Sequence, residues 1–148
     1  MSGVTAARLA DEAVARFVRA FGLHHPQRAP DGRPVSMSAA CALAELRRDG
    51  RMRQHELTRR LGLNSSNTSH LVAQLADRGW LYRDPVGDDR RGVLLCLTET
   101  GARTADHLAE ARRIRFGALL DRIPTDQHAE VLAVLVVIAE AADNRSPG

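Results

Sequence analysis

The chain has 148 residues, the length of one ordinary domain, and its 44% apolar content is enough to bury a core, which excludes wholesale disorder. Twenty-three alanines against five aromatic residues favour packed helices over an all-β sandwich. The net charge is +3 and every one of the 21 cations is arginine; the two cysteines fit neither a disulfide framework nor a Cys-x-x-Cys metal motif.

Residues 6–21 place Ala6, Leu9, Ala10, Ala13, Val14, Phe17 and Phe21 at helical spacing, and Gly22, two histidines and Pro26 stop that helix. A Pro- and Gly-rich loop runs from Pro26 to Val35. Ser36 or Ser38 then caps a second helix to about Asp49, with Ala40, Leu43, Ala44 and Leu46 inward and Gly50 closing it. Gln54 to Leu61 reads as a short helix burying Leu57 and Leu61, and Gly62 supplies the turn after it. Asn64 caps a further helix, Ser65 to Arg78, whose apolar side is Leu71, Val72 and Leu75. Two such helices joined by a short Gly-containing turn are a helix-turn-helix. The first turns of the second helix, Ser65-Ser66-Asn67-Thr68-Ser69-His70, have almost nothing to bury, as expected of a helix end presented outward.

Behind Gly79 the period changes. Trp80–Asp84 and Val93–Leu97 read as two strands around a charged, turn-rich tip, a hairpin that completes a winged helix. Thr98 caps a long helix carrying Ala102, Ala105, Leu108, Ala109, Phe116 and Leu119 on one side. Pro124-Thr125 breaks it, and Thr125 caps a last helix, Asp126 to Asp143. That last helix is apolar over most of its circumference, so a second subunit is expected to cover it. Its longest apolar run, Val131–Ala139, is about half of what a membrane-spanning helix needs. No charged start followed by an apolar segment opens the chain, so a cytoplasmic protein is expected, with no membrane partner. The fold class expected is mainly α with a small β-wing.

The charge is uneven. Residues 47–91 hold ten arginines against six acids, whereas 1–46 carry +1 and 92–148 carry −2. A basic middle on a helical frame suggests an element that binds a polyanion. Codon usage in a GC-rich genome accounts for the missing lysine. Arginine nonetheless supplies a planar donor fork suited to phosphates and base edges.

The run Asp89-Arg90-Arg91-Gly92-Val93-Leu94-Leu95-Cys96-Leu97-Thr98-Glu99-Thr100-Gly101 resembles the wing signature of the MarR family of bacterial transcriptional regulators. Upstream, Glu56-Leu57, Leu61-Gly62-Leu63, Leu71-Val72, Leu75 and Gly79-Trp80-Leu81 match that family's helix-turn-helix. The likeness covers roughly residues 5–143. It implies a single chain over 1–148 with a winged-helix DNA-binding lobe at 36–98 and dimerisation helices at 5–23 and 99–143. It further implies a homodimer on a pseudo-palindromic operator in double-stranded DNA, and repression relieved by a small aromatic or anionic effector.

A recognition helix reads the major groove with its first turns, which makes Ser65, Ser66, Asn67, Ser69, His70 and Gln74 the candidates. None is arginine, so the commonest guanine contact is missing. Asn67 and Gln74 can bind adenine bidentately, and a half-site read chiefly at A·T pairs is expected. Ser65 and Ser66 serve equally well as helix-capping residues. Asp89, Arg90 and Arg91 form the wing tip, where one arginine can enter a narrow minor groove. By resemblance Asp89 braces Arg91; the plain alternative is an exposed turn salt bridge. Arg53, Arg59, Arg60, Arg78 and Arg83 are candidate phosphate contacts, and Arg53 stands where the family usually has a hydroxyl cap.

Cys41, among Ala40, Ala42 and Leu43, is expected in the core, and Cys96 is expected to be structural. The histidines do not pair at i, i+4: His107 has Ala111 there and His128 has Leu132, so no metal site and no cofactor is expected. Arg16, Arg19, His24 and His25 could meet an anionic effector. No glycine-rich phosphate loop, no nucleophile with a nearby base and no carboxylate pair in an apolar setting points to an enzyme. A winged helix can also serve as a protein-interaction module without a specific DNA target, and binding to DNA at two salt concentrations separates the two readings.

Overall fold

The computed structural model describes residues 1–85 and 92–143. Its elements are α1 (Gly3–Phe21), β1 (Gln27–Arg28), β2 (Pro34–Val35), α2 (Met37–Asp49), β3 (Met52–Arg53), α3 (Gln54–Leu61), α4 (Ser65–Asp77), β4 (Leu81–Pro85), β5 (Val93–Leu97), α5 (Glu99–Leu120), a 3₁₀ turn (Thr125–Gln127) and α6 (His128–Asp143). The chain divides into two compact units, and the break falls inside α5, between Ala109 and Glu110.

The first unit holds the core. α2 contributes Ala39, Ala40, Ala42, Leu43 and Leu46, α3 contributes Leu57, and α4 contributes Leu71, Val72 and Leu75. Leu95 of β5 and Ala105 and Leu108 of α5 close it, with Trp80 and Leu81 at the start of the hairpin. The expected inward stripes of α2, α3 and α4 are buried apart from Ala44 and Leu61, which are only half-buried. Cys41 departs from expectation. It lies on the exposed side of α2, because the helical turn that buries Ala40, Leu43 and Leu46 carries position 41 outward.

Three short strands were not legible as strands. β1 and β2 form a small antiparallel hairpin inside the Pro/Gly loop, with Gln27 opposite Val35 and Arg28 opposite Pro34. β3 adds an edge to the wing, so the sheet order is β3-β5-β4, with Met52 opposite Leu95. A two-residue strand has no period to detect; only its partner defines it. The β4–β5 ladder runs from Leu81 opposite Leu97 to Pro85 opposite Val93.

The start of α5 locks to the hairpin through Thr98. The Thr98 hydroxyl donates to the Gly79 carbonyl at 2.6 Å and accepts from the Gly101 N–H at 3.0 Å. The Thr98 N–H donates to the Trp80 carbonyl at 3.0 Å. A Cβ at position 101 would collide with that same carbonyl oxygen, which is why the Leu-Thr-x-x-Gly pattern ends on glycine.

α1 starts earlier than its apolar pattern indicates, because the Ser2 side chain accepts from the Thr5 N–H at 3.3 Å and caps it. Gly22, at φ 75°, closes it, and no residue of α1 is buried. In the second unit α6 begins at His128 after the 3₁₀ turn, two residues later than expected. The His128 ring, at Nε2, lies 2.9 Å from the Leu120 carbonyl and 2.8 Å from that of Ile123, so its N–H serves the end of α5 and the turn that follows it. α6 buries nothing: Leu132, Val134, Leu135, Val136, Val137 and Ile138 all stay about half exposed or more.

Candidate nucleic-acid interface

α3 and α4 are set by their ends. Arg53 precedes α3 and makes no side-chain capping bond, as its position in place of a hydroxyl residue suggested. Gly62, at φ 63°, takes the left-handed turn that a side chain would strain. Asn64 then caps α4, its Oδ1 accepting from the Asn67 N–H at 2.7 Å.

α4 buries Thr68, Leu71, Val72 and Leu75 and leaves Ser65, Ser66, Asn67, Ser69, His70 and Gln74 exposed. Thr68 breaks the expectation of an unburied first turn. Its hydroxyl donates to the Asn64 carbonyl at 3.0 Å, so a buried polar group is satisfied within the helix. Two of the outward residues are already linked to neighbours. The Gln54 amide donates to the Ser69 hydroxyl at 2.8 Å, tying α3 to α4 across the turn. Gln74 Nε2 lies 3.3 Å from His70 Nε2, one helical turn away, so these two side chains meet on the outward face. Gln54 was not among the sequence candidates; fifteen residues separate it from Ser69, and only the packing of α3 on α4 joins them.

The arginines divide. Arg59 is 69% exposed and pairs with Glu56 at 2.8 Å, and Arg83 is exposed on β4. Arg53 is half-buried, with its guanidinium beside Gly92. Arg60 and Arg78 are engaged by partners within the lobe, Arg60 at its surface and Arg78 with part of its guanidinium buried. Arg60 is only 27% exposed and is ion-paired with Glu45 at 3.0 Å, with Glu56 at 3.1 Å and with Asp49, so it fastens α3 to α2. Arg78 donates from Nη1 to the Pro34 carbonyl at 2.8 Å and lies 3.7 Å over the Trp80 ring. Burial, reinforced by the positive charge of Arg33, holds the Arg78 guanidinium below its ordinary pKa, against a smaller opposing pull from Asp31. It is a cation at all working pH, because the guanidinium does not release its proton in proteins.

The wing-tip residues Asp89, Arg90 and Arg91 lie outside the described residues. At the root of the wing Arg51 pairs with Asp84 at 3.4 Å. Arg16 and Arg19 sit exposed on α1, and His24 and His25 are exposed in the turn after it with ring centroids 4.0 Å apart. Among the described residues no group of three or more His, Cys, Asp or Glu is placed to hold a metal ion, and no helix is long and apolar enough to cross a membrane.

Comparison with known proteins places this geometry. Residues 34–92 match the model of the MarR family. An HTH-type transcriptional regulator of Mycobacterium leprae is 34% identical over 122 residues, covering 80% of each chain. Among solved structures, RV1404 from Mycobacterium tuberculosis shares the fold at a TM-score of 0.78 and 20% identity, over 100% of this chain and 99% of that one. Bordetella bronchiseptica BpsR, whose DNA binding is described as regulated by 6-hydroxynicotinic acid, aligns at a TM-score of 0.67 and 17% identity, over 91% of this chain and 98% of the other. The capped helix-turn-helix, the strand hairpin behind it and these relatives together make the chain a member of the MarR family of winged-helix transcriptional regulators.

Proposed function

We propose that the protein is a ligand-responsive repressor that binds a pseudo-palindromic operator as a homodimer. The observation that carries the reading is α4: a helix capped by Asn64, fixed to the core by Leu71, Val72 and Leu75, and showing polar first turns to solvent. A rigid helix with its first turns outward is what major-groove reading requires. On that face Asn67 and Gln74 serve adenine, and Ser65, Ser66, Ser69 and His70 serve phosphates or water-mediated contacts. Arg53, Arg59 and Arg83 supply phosphate contacts, and Arg90 or Arg91, braced by Asp89, enters the minor groove. Arg60 and Arg78 are proposed with them, and to reach phosphates they would first have to give up their partners within the lobe.

The dimer is supported by the apolar faces left uncovered on α1 and α6, where Val14, Phe17 and the run Val134–Ile138 are exposed. A response to a small aromatic or anionic effector is supported by the likeness to BpsR, and Arg16, Arg19, His24 and His25 offer cationic or hydrogen-bonding groups to such a molecule. The test is binding of the dimer to DNA flanking its own gene and to nonspecific DNA at two salt concentrations. Tight, salt-sensitive binding to the former is expected. Binding to neither favours the protein-interaction reading, and selection from random DNA that demands G·C under α4, unchanged in Asn67→Ala, removes the assigned base contacts.

A further inference from the structure

The bond between Gln54 and Ser69 joins the first residue of α3 to the outward face of α4, and its atoms fix its direction. The Gln54 amide nitrogen has only hydrogens to give, so across 2.8 Å it donates and the Ser69 hydroxyl oxygen accepts. A hydroxyl carries one proton and two lone pairs, and here one lone pair is taken, so the proton points away from the amide. Helical hydroxyls commonly return that proton to the carbonyl four residues back. Thr58 does so to the Gln54 carbonyl at 2.9 Å, Thr68 to that of Asn64 at 3.0 Å and Thr104 to that of Thr100 at 2.8 Å. Ser69 makes no such bond, and among the described residues its proton has no acceptor. Ser69 is exposed, whereas Gln54 is half-buried and its carbonyl is held by Thr58. The orienting amide is therefore anchored in one helix while the hydroxyl it orients faces solvent on the other.

We infer that Gln54 is a positioning residue for DNA recognition: it sets the Ser69 hydroxyl as a donor, so that this point of α4 takes a hydrogen-bond acceptor of the DNA. Phosphate oxygens, purine N7, guanine O6 and thymine O4 supply one, and the N4 amine of cytosine does not. An amine donating to Ser69 would fill the second lone pair and strand the hydroxyl proton without a partner. Linked hydrogen bonds also polarise one another, which makes the Ser69 hydroxyl a better donor while it accepts from Gln54. The inference rests on the proposed DNA-binding role of α4.

The test uses full-length protein and the duplex that the wild type selects from random DNA. Gln54→Met keeps the reach of the side chain but cannot donate, and Ser69→Ala removes the hydroxyl. Each is expected to weaken binding about three- to tenfold, the net worth of a neutral hydrogen bond, with circular dichroism showing that the variants are folded. The double variant is expected to lose no more than Ser69→Ala alone. Duplexes that each lack one acceptor then separate its sources: a methylphosphonate at one backbone position, or a base analogue without the N7, O6 or O4 acceptor. Both losses are expected to vanish on one and the same modified duplex, a methylphosphonate identifying a phosphate oxygen and an analogue a base edge. A mere tether between α3 and α4 would leave them unchanged on every duplex. No loss in Gln54→Met, losses that add, or losses that persist on every modified duplex overturn the role of Gln54 and leave wild-type DNA binding intact. A wild type that binds no duplex removes the DNA-binding reading, and this role with it.

Discussion

α4 and α6 are both rich in apolar residues, and they end up in opposite states. α4 carries its large apolar side chains on one stripe, and Leu71, Val72 and Leu75 are buried against α2, α3 and the wing while the other face remains polar. α6 carries Val131, Leu132, Val134, Leu135, Val136, Val137 and Ile138 around most of its circumference and buries none of them. A stripe can be satisfied by one neighbouring layer of the same chain. An all-round apolar helix cannot be satisfied by a single neighbouring layer, and the proposed second subunit would cover what remains.

The sharpest way to break the contrast is to cut the core that α4 rests on. Leu43 is fully buried, and Leu43→Ala is expected to lower unfolding stability by about 2–5 kcal/mol in denaturant melts. A loss under 1 kcal/mol would mean that the lobe tolerates a cavity where none is predicted to be tolerated. The matching change in α6, Leu135→Glu, is expected to convert dimer to monomer by light scattering while the first unit keeps its thermal transition. An unchanged mass would show that α6 is not the covered surface.

Smaller effects sharpen the reading of α4. Asn67→Ala is expected to cost about 1–3 kcal/mol of operator binding and to relax the preference at one A·T position without changing stability. Arg60→Gln and Arg59→Gln separate two arginines that sit side by side in sequence. The former should destabilise the lobe by about 1–2 kcal/mol, because Glu45 and Glu56 lose their shared cation. The latter should leave stability alone and flatten the salt dependence of DNA binding by about one unit. If Arg60→Gln changes the salt slope and not the melt, the roles are reversed. The smallest expected effect is Asn64→Ala, about 1 kcal/mol from loss of the α4 cap, read as an earlier melt with unaltered DNA sequence preference.

What could be read from sequence was local. The caps at Ser36 and Asn64, the left-handed turn at Gly62, the Thr98–Gly101 junction and the inward stripes of α2 and α4 all depend on residues within one or two helical turns of each other. The candidate site was legible to the same depth: the outward residues of α4 follow from its stripe. The strands β1, β2 and β3 were not, since two residues carry no alternation and their partners lie elsewhere in the chain. Cys41 was misplaced because neighbouring alanines suggested burial, whereas helical phase alone decides it.

By itself, then, the sequence determined the winged helix-turn-helix and the greasy terminal helix, because hydrophobic period and capping chemistry act over a few residues. Tertiary structure decided what the arginines do. Arg59 and Arg60 are adjacent, yet one faces solvent and the other joins three carboxylates contributed by α2 and α3. Arg78 closes α4 in sequence but turns inward to Pro34 and Trp80. A long charged side chain takes its role from acceptors that folding brings to it, and those acceptors are distant in the chain.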